Sequence, residues 1–236
     1  MNTDKLNHKH FQNQTIKAID WNPLLRATYF FSIAMIALIP IQILIFVIAP
    51  PPDSVVGFYE LFRENWALGL LSLDFLYIIN NAILILIYLT LFVKLYNEKP
   101  AIMLIGIAVG LIGIACYFPS NPSFEMLTLS TKYFEASPEL RTVFVAAGES
   151  LMAGYSGTTF NVYYVFNAIA LLLFSYAILK SSEFSKSLGV WGLVSGVFMI
   201  IPSSAGLIGM IFSLLSLIPW VVFVVLLTLR IRQMLK

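Results

Sequence analysis

Six apolar stretches constrain this chain more than any other feature: Arg26 to Ala49, Gly69 to Val93, Ala101 to Phe118, Phe160 to Leu179, Leu188 to Ala205 and Gly206 to Leu229. A helix needs about 20 mainly apolar residues to cross about 30 Å of hydrocarbon. The composition agrees, because 59% of the residues are hydrophobic and 11% charged, against about 25% charged in a soluble domain. The expected fold is therefore all-α, a six-helix transmembrane bundle over residues 26–236 preceded by a cytoplasmic tail, residues 1–25. The fifth stretch is the weakest. Its strongly apolar part ends at Ile201, and Pro202, Ser203 and Ser204 interrupt it; read with the sixth as one bent element, it would lower the span count.

Flanking charge chooses between these readings. Six crossings place Lys5, Lys9, Lys17, Arg26, Lys94, Lys99, Lys180, Lys186, Arg230, Arg232 and Lys236 on one side and leave only Arg63, Lys132 and Arg141 on the other. A basic excess in short loops marks the cytoplasmic face, so both termini are expected inside. The first apolar run is longer than a signal-peptide core and lacks a small-residue cleavage site, which makes it a retained anchor. Trp21, Tyr29, Trp66 and Tyr117 fall near span ends, as an aromatic belt requires.

The inner loops are short and the outer ones carry structure. Pro50, Pro51 and Pro52 end the first helix, and Val55, Phe58, Tyr59, Phe62 and Trp66 then recur at helical spacing, predicting a short amphipathic helix at the interface. In the connection 119–159, Asn121-Pro122 and Ser137-Pro138 each pair a capping side chain with a proline at the first helical position. They predict helices over about 122–134 and 138–154, an extracytoplasmic helical cap on the bundle. Gly106 with Gly110, and Gly192 with Gly196, have the spacing that lets helices approach closely.

Polar residues inside the apolar runs are the functional candidates. Asp74 is a carboxylate in the second span, and an ionised carboxylate in hydrocarbon has to face a cavity, water or a partner. Tyr77 and Asn81 follow on the same helical face, with Asn80 alongside. In the fourth span Asn161, Tyr164 and Asn167 share a face, and Glu149 lies on the second cap helix. If the cap folds over the spans, Asp74, Glu149, Asn161 and Tyr164 converge on one pocket. Each also has a structural reading: Asp74 as a snorkelling or helix-bonding group, Glu149 as a solvated surface residue.

The inventory excludes much chemistry. His8 and His10 are the only histidines and sit in the tail, so the membrane body has no serine-histidine pair and no histidine-ligated metal. Cys116 is the one cysteine, and no cysteine metal cluster or disulfide is expected. Neither a phosphate-binding glycine loop nor a dinucleotide fingerprint is present, so no cofactor is expected. The charge is too balanced for a nucleic-acid surface; the expected partners are membrane lipids and a small ligand.

Four strings, Leu70 to Asn81 (LLSLDFLYIINN), Ser120 to Ser130 (SNPSFEMLTLS), Ala146 to Tyr164 (AAGESLMAGYSGTTFNVYY) and Ile211 to Trp220 (IFSLLSLIPW), occur in this order. Together they resemble a family of bacterial multi-pass membrane proteins known only as a domain of unknown function. The resemblance implies a bacterial inner-membrane location and supplies no catalytic residues. Three functions remain open at this point: a small-molecule or lipid-binding protein of transporter or sensor type with an outward-facing polar pocket, a structural or assembly subunit, and an intramembrane enzyme acting on lipid.

Overall fold

The computed structural model describes residues 20–236; the tail reading that involves His8 and His10 lies outside the described residues. Among these the chain is helical throughout, with no strand. The elements are α1 (Asn22–Ile48), α2 (Val55–Glu64), α3 (Trp66–Ser72), α4 (Phe75–Leu95), α5 (Pro100–Ser120), α6 (Ser123–Glu135), α7 (Pro138–Tyr155), α8 (Thr158–Lys180), α9 (Lys186–Phe198) and α10 (Gly206–Met234). Five helical stretches are long and apolar enough to cross a membrane: α1, α4, α10, and those containing α5 and α8. Their outward surface is apolar too, with Phe30, Val47, Ile48, Leu207 and Ile218 exposed, far more than a water-facing surface carries in one region.

Two of the expected spans differ from the sequence reading. α9 has 13 residues, about 20 Å at 1.5 Å per residue, and falls short of a crossing by itself. The irregular segment 199–205 follows it and leads into α10. Lys186 starts at the end of α8, while Ser204 donates to Asn161 Oδ1 at the beginning of α8, so the segment from Lys186 to Ala205 runs the length of α8. The other difference is the second span, which is not continuous from Gly69. It breaks between α3 and α4 at Leu73 and Asp74.

Local chemistry explains the shorter elements. Ser54 caps α2 by accepting from Gly57 N at 3.1 Å, and Asn65 ends α2 and caps α3 through Leu68 N at 3.0 Å, each filling an orphan donor of the first turn. α2 buries Val55, Phe58, Tyr59 and Phe62, while Trp66 leaves that face and opens α3 exposed. Its partners are α6 and α7. The Tyr59 hydroxyl donates to Phe144 O at 2.8 Å and Ser130 Oγ donates to Tyr59 O at 2.7 Å. Burial pushes the Tyr59 hydroxyl up to about 12, which keeps it a donor at any physiological pH. Gly148 allows the approach: a Cβ there would lie 2.4 Å from the Tyr59 oxygen. α2, α6 and α7 form one apolar cluster around Tyr59, Leu73 and Met126, at the end where α1 and α5 finish and α4 and α8 begin.

The main core lies among the long helices, where Tyr88, Leu91, Phe174, Phe223 and Leu227 are buried. α5 and α8 are the most closely packed pair. Gly106 faces the Phe174 ring, and Gly110 faces Ala170 and Tyr88, so the absence of side chains lets the two helices meet. At the far end, Ser181 Oγ donates to Glu98 Oε1 at 2.9 Å and Arg230 Nε donates to Glu183 O at 2.7 Å. These bonds gather the turn after α4, the turn after α8 and the end of α10 at one end of the molecule.

Candidate functional site

The site begins at the break in the second apolar run. Asp74 has φ 57° and ψ 32°, and among the described residues it is the one non-glycine with positive φ. Aspartate tolerates this left-handed conformation better than most residues because its short polar side chain bonds locally. A broken helix exposes carbonyl groups, and at membrane depth these need partners. Other elements supply them. Gln42 of α1 donates from Nε2 to Leu71 O at 3.0 Å. Asn121 Nδ2 and Ser123 Oγ donate to Leu73 O at 2.6 and 3.1 Å, and the Tyr117 hydroxyl reaches Asp74 O at 3.5 Å. The Asp74 carboxylate itself accepts from the hydroxyl of Tyr155, the last residue of α7. The break is thus a braced feature of the fold, tied to α1, α5, α6 and α7.

Two adjoining cavities open inward from it. The one beside Asp74 measures about 200 Å³ and is lined by Gln42, Tyr77, Asn80, Tyr117, Phe160 and Tyr164 among others. The deeper one measures about 60 Å³ and includes Asn81, Tyr88, Tyr163, Asn167, Ser216 and Trp220. Ile39, Tyr77, Asn80, Tyr164, Ser213 and Leu217 line both, so the two form one cleft between α1, α4, α8 and α10. From Asp74 to Tyr88 along α4 is about 21 Å at 1.5 Å per residue. The cleft therefore reaches well below the helix ends.

Aromatic rings make the walls. Tyr77 and Tyr117 lie 5.8 Å apart by ring centroid, Tyr117 and Tyr163 4.8 Å, and Phe160 and Tyr164 5.9 Å. Both polar atoms of Asn167 have a partner: Oδ1 accepts from the Tyr88 hydroxyl at 2.8 Å and Nδ2 donates to Tyr163 O at 2.8 Å. Asn81 donates to Tyr77 O at 3.0 Å and, among the described residues, leaves only its Oδ1 without a partner. Asn80 is different. It is 6% exposed, yet both its Nδ2 and its Oδ1 lack a partner among the described residues. Gln42, 5% exposed, likewise leaves Oε1 unpaired. Both residues line the cavity beside Asp74.

Of the residues the sequence singled out, Asp74, Tyr77, Asn81, Tyr164 and Asn167 come together around this cleft. Glu149 does not; it is exposed on α7. Asn161 does not line it either, since its amide donates to Gly157 O at 2.8 Å and its oxygen accepts from Ser204, which fastens the start of α8. Tyr117, expected in an aromatic belt, is 2% exposed and belongs to the break. Gln42, Ser213 and Ser216 were missed as site residues, and Asn80 was placed only alongside the polar face of the second span. Their signal was polarity inside apolar runs, which for the two serines includes the three-residue spacing of one helical face.

Among the described residues no three His, Cys, Asp or Glu side chains gather where they could hold a metal ion. The arrangement offers binding chemistry: a carboxylate, amide groups with free valences and ring faces. In comparisons with known families, curated proteins and solved structures, the chain has no match.

Proposed function

We propose that this chain is a multi-pass protein of a bacterial cytoplasmic membrane that binds a small polar molecule in the cleft between α1, α4, α8 and α10, in the manner of a transporter or sensor. It crosses six times, with both termini cytoplasmic and α2, α6 and α7 capping the outer end. Five long apolar helices, and the passage of Lys186 to Ala205 along the full length of α8, support the six crossings. The basic residues of the turns after α4 and α8 and of the C-terminus support the orientation. The bacterial membrane rests on the resemblance of the four sequence strings.

The observation that carries the binding reading is Asn80. A buried polar group without a partner costs about 1–3 kcal/mol, and Asn80 leaves a donor and an acceptor unpaired at the wall of a cavity. A ligand with its own donors and acceptors recovers that cost on binding. The broken second run adds support, because transporters commonly build their substrate sites on discontinuous helices.

The test is extraction in native lipid followed by mass spectrometry of the small molecules that accompany the protein. A defined species should accompany the wild type and be depleted in Asn80→Leu and Gln42→Leu. Equal occupancy in all three proteins refutes the cleft as the site.

A further inference from the structure

The cavity beside Asp74 combines one acidic group with aromatic walls. Phe46, Tyr77, Tyr117, Phe160 and Tyr164 contribute rings, and among the described residues no lysine, arginine or histidine lines either cavity. Among the described residues, the one side-chain hydrogen bond that Asp74 makes comes from a neutral hydroxyl, Tyr155. A carboxylate in a low-dielectric cleft without a cationic partner is electrostatically incomplete, and the aromatic rings that line the same cavity carry negative charge density on their faces. Both features attract positive charge and repel anions.

A hard metal ion does not suit the site. Such ions require about six oxygen ligands, whereas Leu71 O and Leu73 O at the break already accept from Gln42, Asn121 and Ser123. Ring faces suit a weakly hydrated organic cation instead. Resting on the cleft-binding reading above, we propose that the occupant carries an ammonium or quaternary ammonium group, seated against Asp74 between the rings of Tyr77, Tyr117, Phe160 and Tyr164. The unpaired amide of Asn80 and the unpaired Oε1 of Gln42 receive the polar remainder of the molecule.

The probe is choline, compared with its uncharged isostere 3,3-dimethylbutan-1-ol, measured by calorimetric titration of the whole protein in lipid nanodiscs. Choline should bind saturably and at least tenfold more tightly than the isostere. Asp74→Asn should weaken choline at least tenfold and leave the isostere unchanged. Phe160→Leu, which removes a ring face and no charge, should weaken choline severalfold and provides an independent reading if Asp74→Asn folds poorly. Equal affinity for the two probes, an unaltered choline affinity in both variants, or no choline binding by the wild type overturns the proposal. A neutral species that accompanies the wild type and is lost in Asn80→Leu would leave the cleft as a binding site while the cation is refuted. Nanodiscs with and without phosphatidylcholine separate the two sources of such a group: competition by the lipid identifies a headgroup, and its absence a free solute.

Discussion

Asn80 and Asn167 line the same cleft and should respond to the same substitution with opposite signs. Asn80→Leu replaces an amide whose donor and acceptor are both unpaired with an apolar side chain of similar size. Each unpaired group costs about 1–3 kcal/mol, but the adjoining cavity of about 60 Å³ has room for water, which needs only about 10–15 Å³ and restores part of that cost. The expected net effect is a gain of about 2 kcal/mol in the ligand-free protein. For a chain of this size that raises the unfolding midpoint by roughly 4–8 °C. Asn167→Leu removes the acceptor of the Tyr88 hydroxyl, leaves that buried group orphaned, and should cost about 1–3 kcal/mol. Thermal unfolding in nanodiscs stripped of ligand, followed by tryptophan fluorescence, measures both; Trp220 on the cavity wall reports locally. If Asn80→Leu destabilises the protein as much as Asn167→Leu does, Asn80 is structural glue and the reasoning fails.

Two further outcomes follow from the packing and from the proposed topology. Gly113→Ala should destabilise by about 1–3 kcal/mol, as overpacking does, because its Cβ would lie 2.6 Å from Asn167 Nδ2 and 3.3 Å from Tyr163 O. Gly154→Ala, with nothing within 4 Å, should be neutral or slightly stabilising; chemical denaturation of the pair decides. In a Cys116→Ser background, a cysteine placed at Ser137 should react with an impermeant maleimide added to intact cells. One placed at Glu98 should react only after lysis, and the reverse pattern refutes the orientation.

Much of the helical layout was readable because helix ends announce themselves locally. Pro50 to Pro52 stop α1, Ser137-Pro138 opens α7 where it was expected, and Asn121-Pro122 opens α6 one residue from where it was expected. Local signals failed where tertiary bonds decided the outcome. Nothing around Asp74 breaks a helix on propensity alone, since Leu73, Asp74 and Phe75 are ordinary helical residues. The break is sustained by Gln42, Asn121 and Ser123, which come from elements distant in the chain. Asn161 was drawn into the site by helical spacing and Glu149 by the expectation that the cap folds over the spans, and both are spent elsewhere, one on the start of α8 and one on the surface.

The apolar run lengths and the placement of charge were enough to determine that this chain builds long apolar helices joined by short turns, because burial in hydrocarbon and helix capping act over a few neighbouring residues. Only the tertiary structure decided that the second run is broken at Asp74, that Asn167 is satisfied while Asn80 is not, and that rings from α4, α5 and α8 line one cavity with a carboxylate. A hydrogen bond depends on which side chains meet across tens of residues of sequence, and no local pattern in the chain records that meeting.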